Sequence, residues 1–522
     1  VLQAKGITKV EDHLQGSGDT ALPGIARPNR QESFMFSASN SLALLTDMYQ
    51  LTMANGYLKQ GKANQLATFH LYFRKSPFAG GYTIAAGLAD AIDFLANWHF
   101  SDDDLTYLAS IPGNDGKPIF EAGFLDYLRH QTFDCDVDAI PEGTVVFPNQ
   151  PLLRITGSML QCQIVETPLL NILNFQSLIA TKAARICRAA KDEAVLEFGL
   201  RRAQGPDGGL SASRAAYIGG CSATSNLLAG KKFNIPVKGT HAHSWVMSFQ
   251  DELESFEEYA KAMPNNCIFL VDTYNTVEGV KHAITVGKQL KAAGHRLVGV
   301  RLDSGDLAHL SIQARTLLDQ AGFQDAVIVA SNDLDEYTIE SLKQQDAKIS
   351  VWGVGTRLAT AYDQPALGGV YKLGAIQDAN GRWEPKLKLS EQTIKVSNPG
   401  KLNVRRFFDG GSAVADVIFN ELDSNQVDVM VDPMDHLRRR KINPDWNSED
   451  LLLPYLRNGK LTEVAKSFDH TNLEAIRSRS KNQLALFHDG IKRFQNPHQY
   501  PVGLEQSLYE LKSRMVLAAR GF

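Results

Sequence analysis

The chain of 522 residues exceeds what one hydrophobic core can organise, and at 43% hydrophobic residues it holds apolar material for two or three domains. Its net charge of -4, with both signs mixed along the sequence, excludes the broad basic face that a nucleic-acid backbone needs, so any anion site must be local. Five scattered cysteines without a CxxC pair argue against a disulfide framework or zinc knuckle and for a reducing, cytoplasmic setting; no apolar run is long enough for a membrane span or a signal peptide.

Residues 1–36 are polar and rich in Gly, Gln, Asp and Asn, and read as a flexible leader or an expression-derived extension. From Ser37 the pattern changes. Thr46 or Asp47 is placed to cap a helix through MYQLTMANGYLKQG, Ser101 to cap DDDLTYLASI, and TVVF and LLRI read as short strands. The segment 37–191 is therefore expected to be an N-terminal α+β domain ending in a long helix.

Between 192 and 385 the sequence becomes rhythmic. Strand-like runs occur at AVLEFGL, AAYIGG, IPVKGT, CIFLVDT, RLVGVRLDS, DAVIVASN, KISVWGVGT and GVYKL, most of them separated by stretches of helical spacing such as YNTVEGVKHAITVGKQLKAAG. About eight such units predict parallel strands with right-handed crossovers, closed as an irregular TIM-like α/β barrel. Residues 386–522 return to mixed signals and are expected to form a C-terminal α+β cap domain. Its basic run LRRRK, 437–441, is read as a solvated face.

Nearly every predicted strand ends in polar chemistry: RRAQG, THAHS, DTYNT, RLDSGD, SNDLD and GVGT. A single strand-end Asp, Ser or Thr commonly caps the next helix, but barrel strand ends share one rim, and six together describe an active site. Arg301 and Asp303, at i and i+2, are expected to face one side, with Arg201 and Arg202 adding positive charge for an anionic substrate. GVGT, with Gly355 and Thr356, and ALGGVYK follow the last two strand candidates, where barrels bind phosphate on glycine-exposed N–H groups. Glu197, Asp272, Asp303, Asp306 and Asp333 carry too much negative charge for phosphate alone, unless they hold Mg2+ or face a developing cation; Asp306 is the simplest helix cap among them.

His241 and His243 in GTHAHSWV pose the central ambiguity. On an extended chain the pair points to one side and suits two metal ligands, a proton relay, or one phosphoryl acceptor beside a bystander. The metal reading, that of an amidohydrolase-type barrel, needs further histidines at later strand ends, whereas His282, His295 and His309 fall in helices or strand starts.

LLTDMYQLTMANGY, FRKSPFAGGY, EFGLRRAQGPDGG, GTHAHS, VDTYNT, GVRLDSGDL and GVGT with LGGVYKL together resemble the nicotinate phosphoribosyltransferases, from about Leu44 into the C-terminal region. The resemblance implies transfer of phosphoribosyl from phosphoribosyl pyrophosphate (PRPP) to nicotinate, coupled to ATP hydrolysis, with Mg2+ and a homodimer whose sites are shared. It implies that His243 is the histidine phosphorylated by ATP and His241 a neighbour. Phe198 and Tyr49 would sandwich the pyridine ring, Tyr49 coming from the other subunit. Arg301 and Thr240 would contact nicotinate, Arg201 and Asp303 would line the ribose and pyrophosphate side, and Gly355 with Thr356 would form the 5′-phosphate loop. Ser244, Asp272 and Asp333 are further substrate candidates, and Asp303 with Asp306 the candidate Mg2+ ligands. A nicotinamide-specific relative would place an aspartate near YIGGCSATSN; here Ser222 or a neighbour stands there, which favours the acid substrate.

Overall fold

Capping residues set the alternation in the central segment. Asn275, Asp306 and Asp335 each accept a backbone N–H three residues on, from Glu278, His309 and Thr338, and so start the helices Thr276–Ala292, Leu307–Gln320 and Glu336–Gln344. Gly322, at φ 83°, turns the chain out of the second of these. The computed structural model describes residues 41–392, 395–423, 426–467 and 472–522, so the leader expected over 1–36 lies outside the described residues.

The strands between these helices form one parallel sheet of six. Its order is Ala223–Thr224, Ala194–Glu197, Val351–Val354, Val327–Ala330, Gly299–Leu302, Ile268–Leu270. Beyond its first edge Val237 adds a single parallel bridge to Thr224, which is all the ladder that IPVKGT contributes. Between that segment and Ile268–Leu270 a side chain takes the place of a ladder: the Leu270 N–H donates to His241 Nε2 at 3.2 Å.

Two expected strands lie elsewhere. AAYIGG is the end of the helix Gly205–Ile218, whose residues from Gly209 to Ile218 are all buried; a short apolar run reads alike for a strand and for a helix buried on every side. GVYKL belongs to Gly369–Gln377, which pairs antiparallel with Leu66–Phe73, a partner some 300 positions away in sequence that no local pattern reveals.

That antiparallel sheet has seven strands, in the order Trp383–Pro385, Gly369–Gln377, Leu66–Phe73, Leu153–Ser158, Asp136–Ala139, Leu453–Arg457, Lys460–Leu461. It draws strands from all three stretches of the chain. The expected helices are present as Met48–Lys59, Asp102–Ser110, Glu166–Ala190 and Gln506–Ala519, and Ser101 closes a capping box with Asp104. Asp47 stands at the first N-cap without capping; its carboxylate accepts from Thr167 instead.

Buried ion pairs tie these layers together behind the parallel sheet. Arg214, on Gly205–Ile218, meets Glu142 through two bonds of 2.8 Å, and both side chains are essentially inaccessible. Lys182 and Arg185 of the long helix both reach Glu336, at 2.6 and 2.7 Å. A third sheet of six strands closes the C-terminal part, with LRRRK forming its charged edge strand Arg439–Lys441. Among the described residues no helix is long and apolar enough to cross a membrane.

Candidate active site

The carboxyl ends of the parallel strands enclose a cavity of about 360 Å3, lined among others by Phe198, Arg201, Ser225, Thr240, His243, Leu270, Arg301 and Asp303. Five separate stretches of sequence thus meet at one opening, as the shared rim of parallel strands requires.

Arg301 organises its floor. The guanidinium donates from Nε to Ser331 Oγ at 2.8 Å, from Nη1 to Thr240 Oγ1 at 2.9 Å and from Nη2 to Asp303 Oδ1 at 2.8 Å. Its plane stands 5.9 Å from the centre of the Phe198 ring. Gly353 makes room for that ring: a Cβ there would come within 2.8 Å of it.

Burial alone would raise the Asp303 carboxyl, but the Ser331 hydroxyl, the Arg301 guanidinium and the nearby His243 together hold it below the usual carboxylate range. Its backbone N–H donates to Asp272 Oδ2 at 2.8 Å, and Ser304 Oγ donates to the same oxygen at 2.7 Å. Asp272 thereby shapes the turn that carries Asp303.

The two histidines separate. The chain does not stay extended through GTHAHS but turns into the short helix His243–Val246, so the expectation that the pair faces one side fails. His241 is buried against Tyr259, with ring centres 4.9 Å apart, and holds the Leu270 N–H; burial pushes its imidazole down to about 4. His243 is half-exposed in the cavity, its Nδ1 3.1 Å from Thr273 Oγ1 and its Nε2 3.8 Å from Asp303 Oδ2. A metal cannot use both: the Nε2 of His241 is already an acceptor inside the core.

The remaining candidates divide. Arg201 is exposed on the short turn Leu200–Arg202 and lines the cavity. Asn332 and Asp333 follow Val327–Ala330 in left-handed backbone, at φ 98° and 37°. Gly355 precedes the one-turn helix Thr356–Ala359, and Ser244 is exposed beside His243; none of these three lines the cavity. Tyr49, 48% exposed, lines a different hollow with Asn174, Phe175 and Leu367, so one chain does not bring it to Phe198. Glu197, counted among the rim acids, turns inward and accepts from the Gly199 N–H, Ser213 Oγ and Thr224 Oγ1.

Three contributors carry no individual signal in the sequence. Ser331 and Thr273 hold Arg301 and His243; both lie inside quoted strand-end motifs, but nothing local distinguishes them from helix caps. Ser225, rather than Ser222, is the YIGGCSATSN hydroxyl in the cavity wall.

The fit to Mg2+ is partial. Asp272 Oδ1 is a buried carboxylate oxygen without a hydrogen-bond partner among the described residues, and Asp303 Oδ2 faces the cavity side. Asp306 instead caps Leu307–Gln320 by accepting from the His309 N–H at 3.1 Å. Among the described residues no three His, Cys, Asp or Glu groups converge on one point, so an ion here must take most of its ligands from substrate oxygens.

Three family models match the chain: the nicotinate phosphoribosyltransferase N-terminal domain over 44–174, the nicotinate phosphoribosyltransferase family over 194–392 and the C-terminal domain over 401–512. The nicotinate phosphoribosyltransferase of Bacillus subtilis (strain 168) is 42% identical over 497 residues, covering 91% of this chain and 97% of its own. That of Homo sapiens is 35% identical, covering 90% and 95%. The crystal structure of human nicotinic acid phosphoribosyltransferase superposes with a TM-score of 0.78 at 32% identity, covering 90% of this chain and 99% of that one. A nicotinate-nucleotide pyrophosphorylase from Pyrococcus furiosus, at 22% identity and a TM-score of 0.63, shares the fold.

Proposed function

The chain belongs to the nicotinate phosphoribosyltransferase family and is an enzyme of NAD biosynthesis, and from that premise we propose that its 360 Å3 cavity takes nicotinate and PRPP while His243 accepts phosphate from ATP. The observation that carries this reading is the setting of Arg301. A guanidinium fixed on three sides and standing over Phe198 offers one place for a carboxylate bound to a flat ring, and it leaves little freedom to be lost on binding.

The pyridine nitrogen is a free nucleophile and needs no general base, so the protein's task is positioning and charge stabilisation. Attack at the anomeric carbon forms the N–C bond as the C–O bond to pyrophosphate breaks, and positive charge builds on the ribose. Asp303, kept ionised at neutral pH, is the carboxylate placed to face that charge. Arg201, exposed across the cavity, is suited to the departing pyrophosphate. Mg2+ carried on the phosphates would neutralise the leaving group, with Asp303 and Asp272 as the protein carboxylates within reach of it. Gly355 and Thr356 are read as the 5′-phosphate turn.

His243 has the attributes of a phosphoryl acceptor. It is accessible, oriented by Thr273 and not engaged in packing, whereas His241 closes the interval between two strands. Counting that closure, we read the parallel sheet and the Val237 segment as an irregular barrel, with the N-terminal α+β part over 37–191 and the cap over 386–522 lending strands to one sheet. The exposed Tyr49 supports a homodimer in which each copy completes the other's site. A soluble cytoplasmic enzyme agrees with the unpaired cysteines.

The test is an assay with labelled PRPP, comparing nicotinate, nicotinamide and quinolinate with and without ATP. Nicotinate alone should yield mononucleotide and pyrophosphate, faster with ATP. Preference for nicotinamide would reverse the substrate assignment, and indifference to ATP would remove the role given to His243.

A further inference from the structure

Away from the transfer site, the last helix covers a second cavity of about 210 Å3 in the C-terminal part. Its walls are the strand Val502–Glu505, Ile418 of the neighbouring strand, Pro148 and Asn149 from the N-terminal part, and one face of the helix Gln506–Ala519. Lys512 and Val516 lie four residues apart on that face, and Arg520 continues the row just past the helix end, so all three point to the same opening.

The charge in this cavity is unbalanced. Lys512 Nζ donates to Asn398 Oδ1 at 2.8 Å, a neutral acceptor, and among the described residues neither Lys512 nor Arg520 has a carboxylate within ion-pair distance. Among the described residues, the most deeply enclosed cations are by contrast paired, as Arg214 is with Glu142, Arg406 with Asp416, and Lys182 with Glu336. An ammonium withdrawn from water without a counter-ion is costly, and burial pushes that of Lys512 down to about 8. The rest of the lining is largely apolar, with Ile418 and Leu504 across from the helix and Val516 between the two cations. The volume falls below the roughly 300–1,000 Å3 of most ligand pockets, which suits a small molecule and not a nucleotide.

We propose that this cavity is a binding site for a small organic anion, which seats a carboxylate or phosphate head on Lys512 and Arg520 and an apolar body against Ile418, Leu504 and Val516. The site is separate in its residues from the transfer cavity, sharing none of them. Occupation would supply the missing counter-ion and join the last helix to the segment around Asn398 and to the N-terminal turn at Asn149.

The experiment uses the full chain with its lysines carbon-13-methylated, and nicotinate mononucleotide at saturation, a nucleotide too large for the second cavity, to keep the transfer site filled. Benzoate and phenyl phosphate are titrated separately while the lysine signals are followed by NMR. The Lys512 signal, assigned by its absence in Lys512→Met, should move saturably with at least one anion, and the anion that moves it identifies the head group. Calorimetry should then show binding weakened by about tenfold or more in Lys512→Met, as loss of a charge-assisted bond predicts, with transferase turnover unchanged. Arg520→Gln, at an exposed position, should weaken it less and provides a folded control. A Lys512 signal that responds to neither anion, or equal binding to the parent and both variants, would overturn the proposal.

Discussion

Arg301 and Asp303 leave the same strand end two residues apart and clasp each other, Nη2 to Oδ1 at 2.8 Å, while the far oxygen of Asp303 lies 3.8 Å from His243 Nε2. The guanidinium that is read as the nicotinate anchor and the histidine that is read as the phosphate carrier are thus joined through one carboxylate. That relationship makes their separate removal informative.

Arg301→Ala should raise the KM for nicotinate roughly 10- to 100-fold, the equivalent of 1.5–3 kcal/mol for a lost bond to a charged group. Arg301→Lys keeps the charge but cannot donate to Thr240, Ser331 and Asp303 at once, so it should recover only part of the loss. Steady-state kinetics with varied nicotinate decides it; an unchanged KM removes Arg301 from the binding role.

His243→Ala should abolish stimulation by ATP and leave slow ATP-independent transfer, because the imidazole handles the phosphoryl group and not the sugar. Thr273→Val removes the hydroxyl 3.1 Å from Nδ1 and should lower the ATP-dependent rate without touching the basal one. Equal loss of both rates in His243→Ala counts against the assignment.

Tyr49→Ala and Phe198→Ala should each be nearly inactive, yet a refolded equimolar mixture should recover about a quarter of the parental activity. Random pairing makes half the dimers hybrid, and each hybrid carries one intact site of two if the ring faces come from different copies. No recovery on mixing would place both residues in one chain's site.

Stability should fall as pH drops from about 6.5 towards 4, and His241 should account for about one proton of that dependence. Its folded pKa, lowered to about 4 chiefly by burial, means that the unfolded chain binds the proton first; the stability is present above 6.5 and lost on acidification. The full effect is at most about 3 kcal/mol. His241→Asn preserves an acceptor for the Leu270 N–H without the titration, and should flatten the curve of unfolding midpoint against pH in that window.

Arg214→Met should lower the unfolding midpoint sharply, by the equivalent of about 3–5 kcal/mol, since it removes the guanidinium that faces the enclosed Glu142 carboxyl. Gly353→Ala should cost less, about 1–3 kcal/mol, but should also raise the KM for nicotinate by pushing the Phe198 ring off its seat.

Much of the architecture was legible locally. Caps and 3.6-residue spacing act over three or four positions, so Ser101 and Asp306 announce their helices, and the strands AVLE, VIVA and VWGV follow from the alternation. The same strand-end segments supply both helix caps and site residues: Asn275 caps where Asp272 and Thr273 serve the site, and Asp306 caps where Arg301 and Asp303 do. Sequence alone marks the segment but not the division within it.

What the sequence determined by itself is the chemistry on offer: arginines, carboxylates and a histidine at the ends of parallel strands. Tertiary structure decided which of them meet. GVYKL leaves the parallel sheet because its partner is Leu66–Phe73, Glu197 turns inward because Ser213 and Thr224 wait behind it, and His241 differs from His243 because a gap between strands needed an acceptor for Leu270. Partners drawn from distant positions are set by packing and by the need to satisfy every buried polar group, and no window of neighbouring residues contains that information.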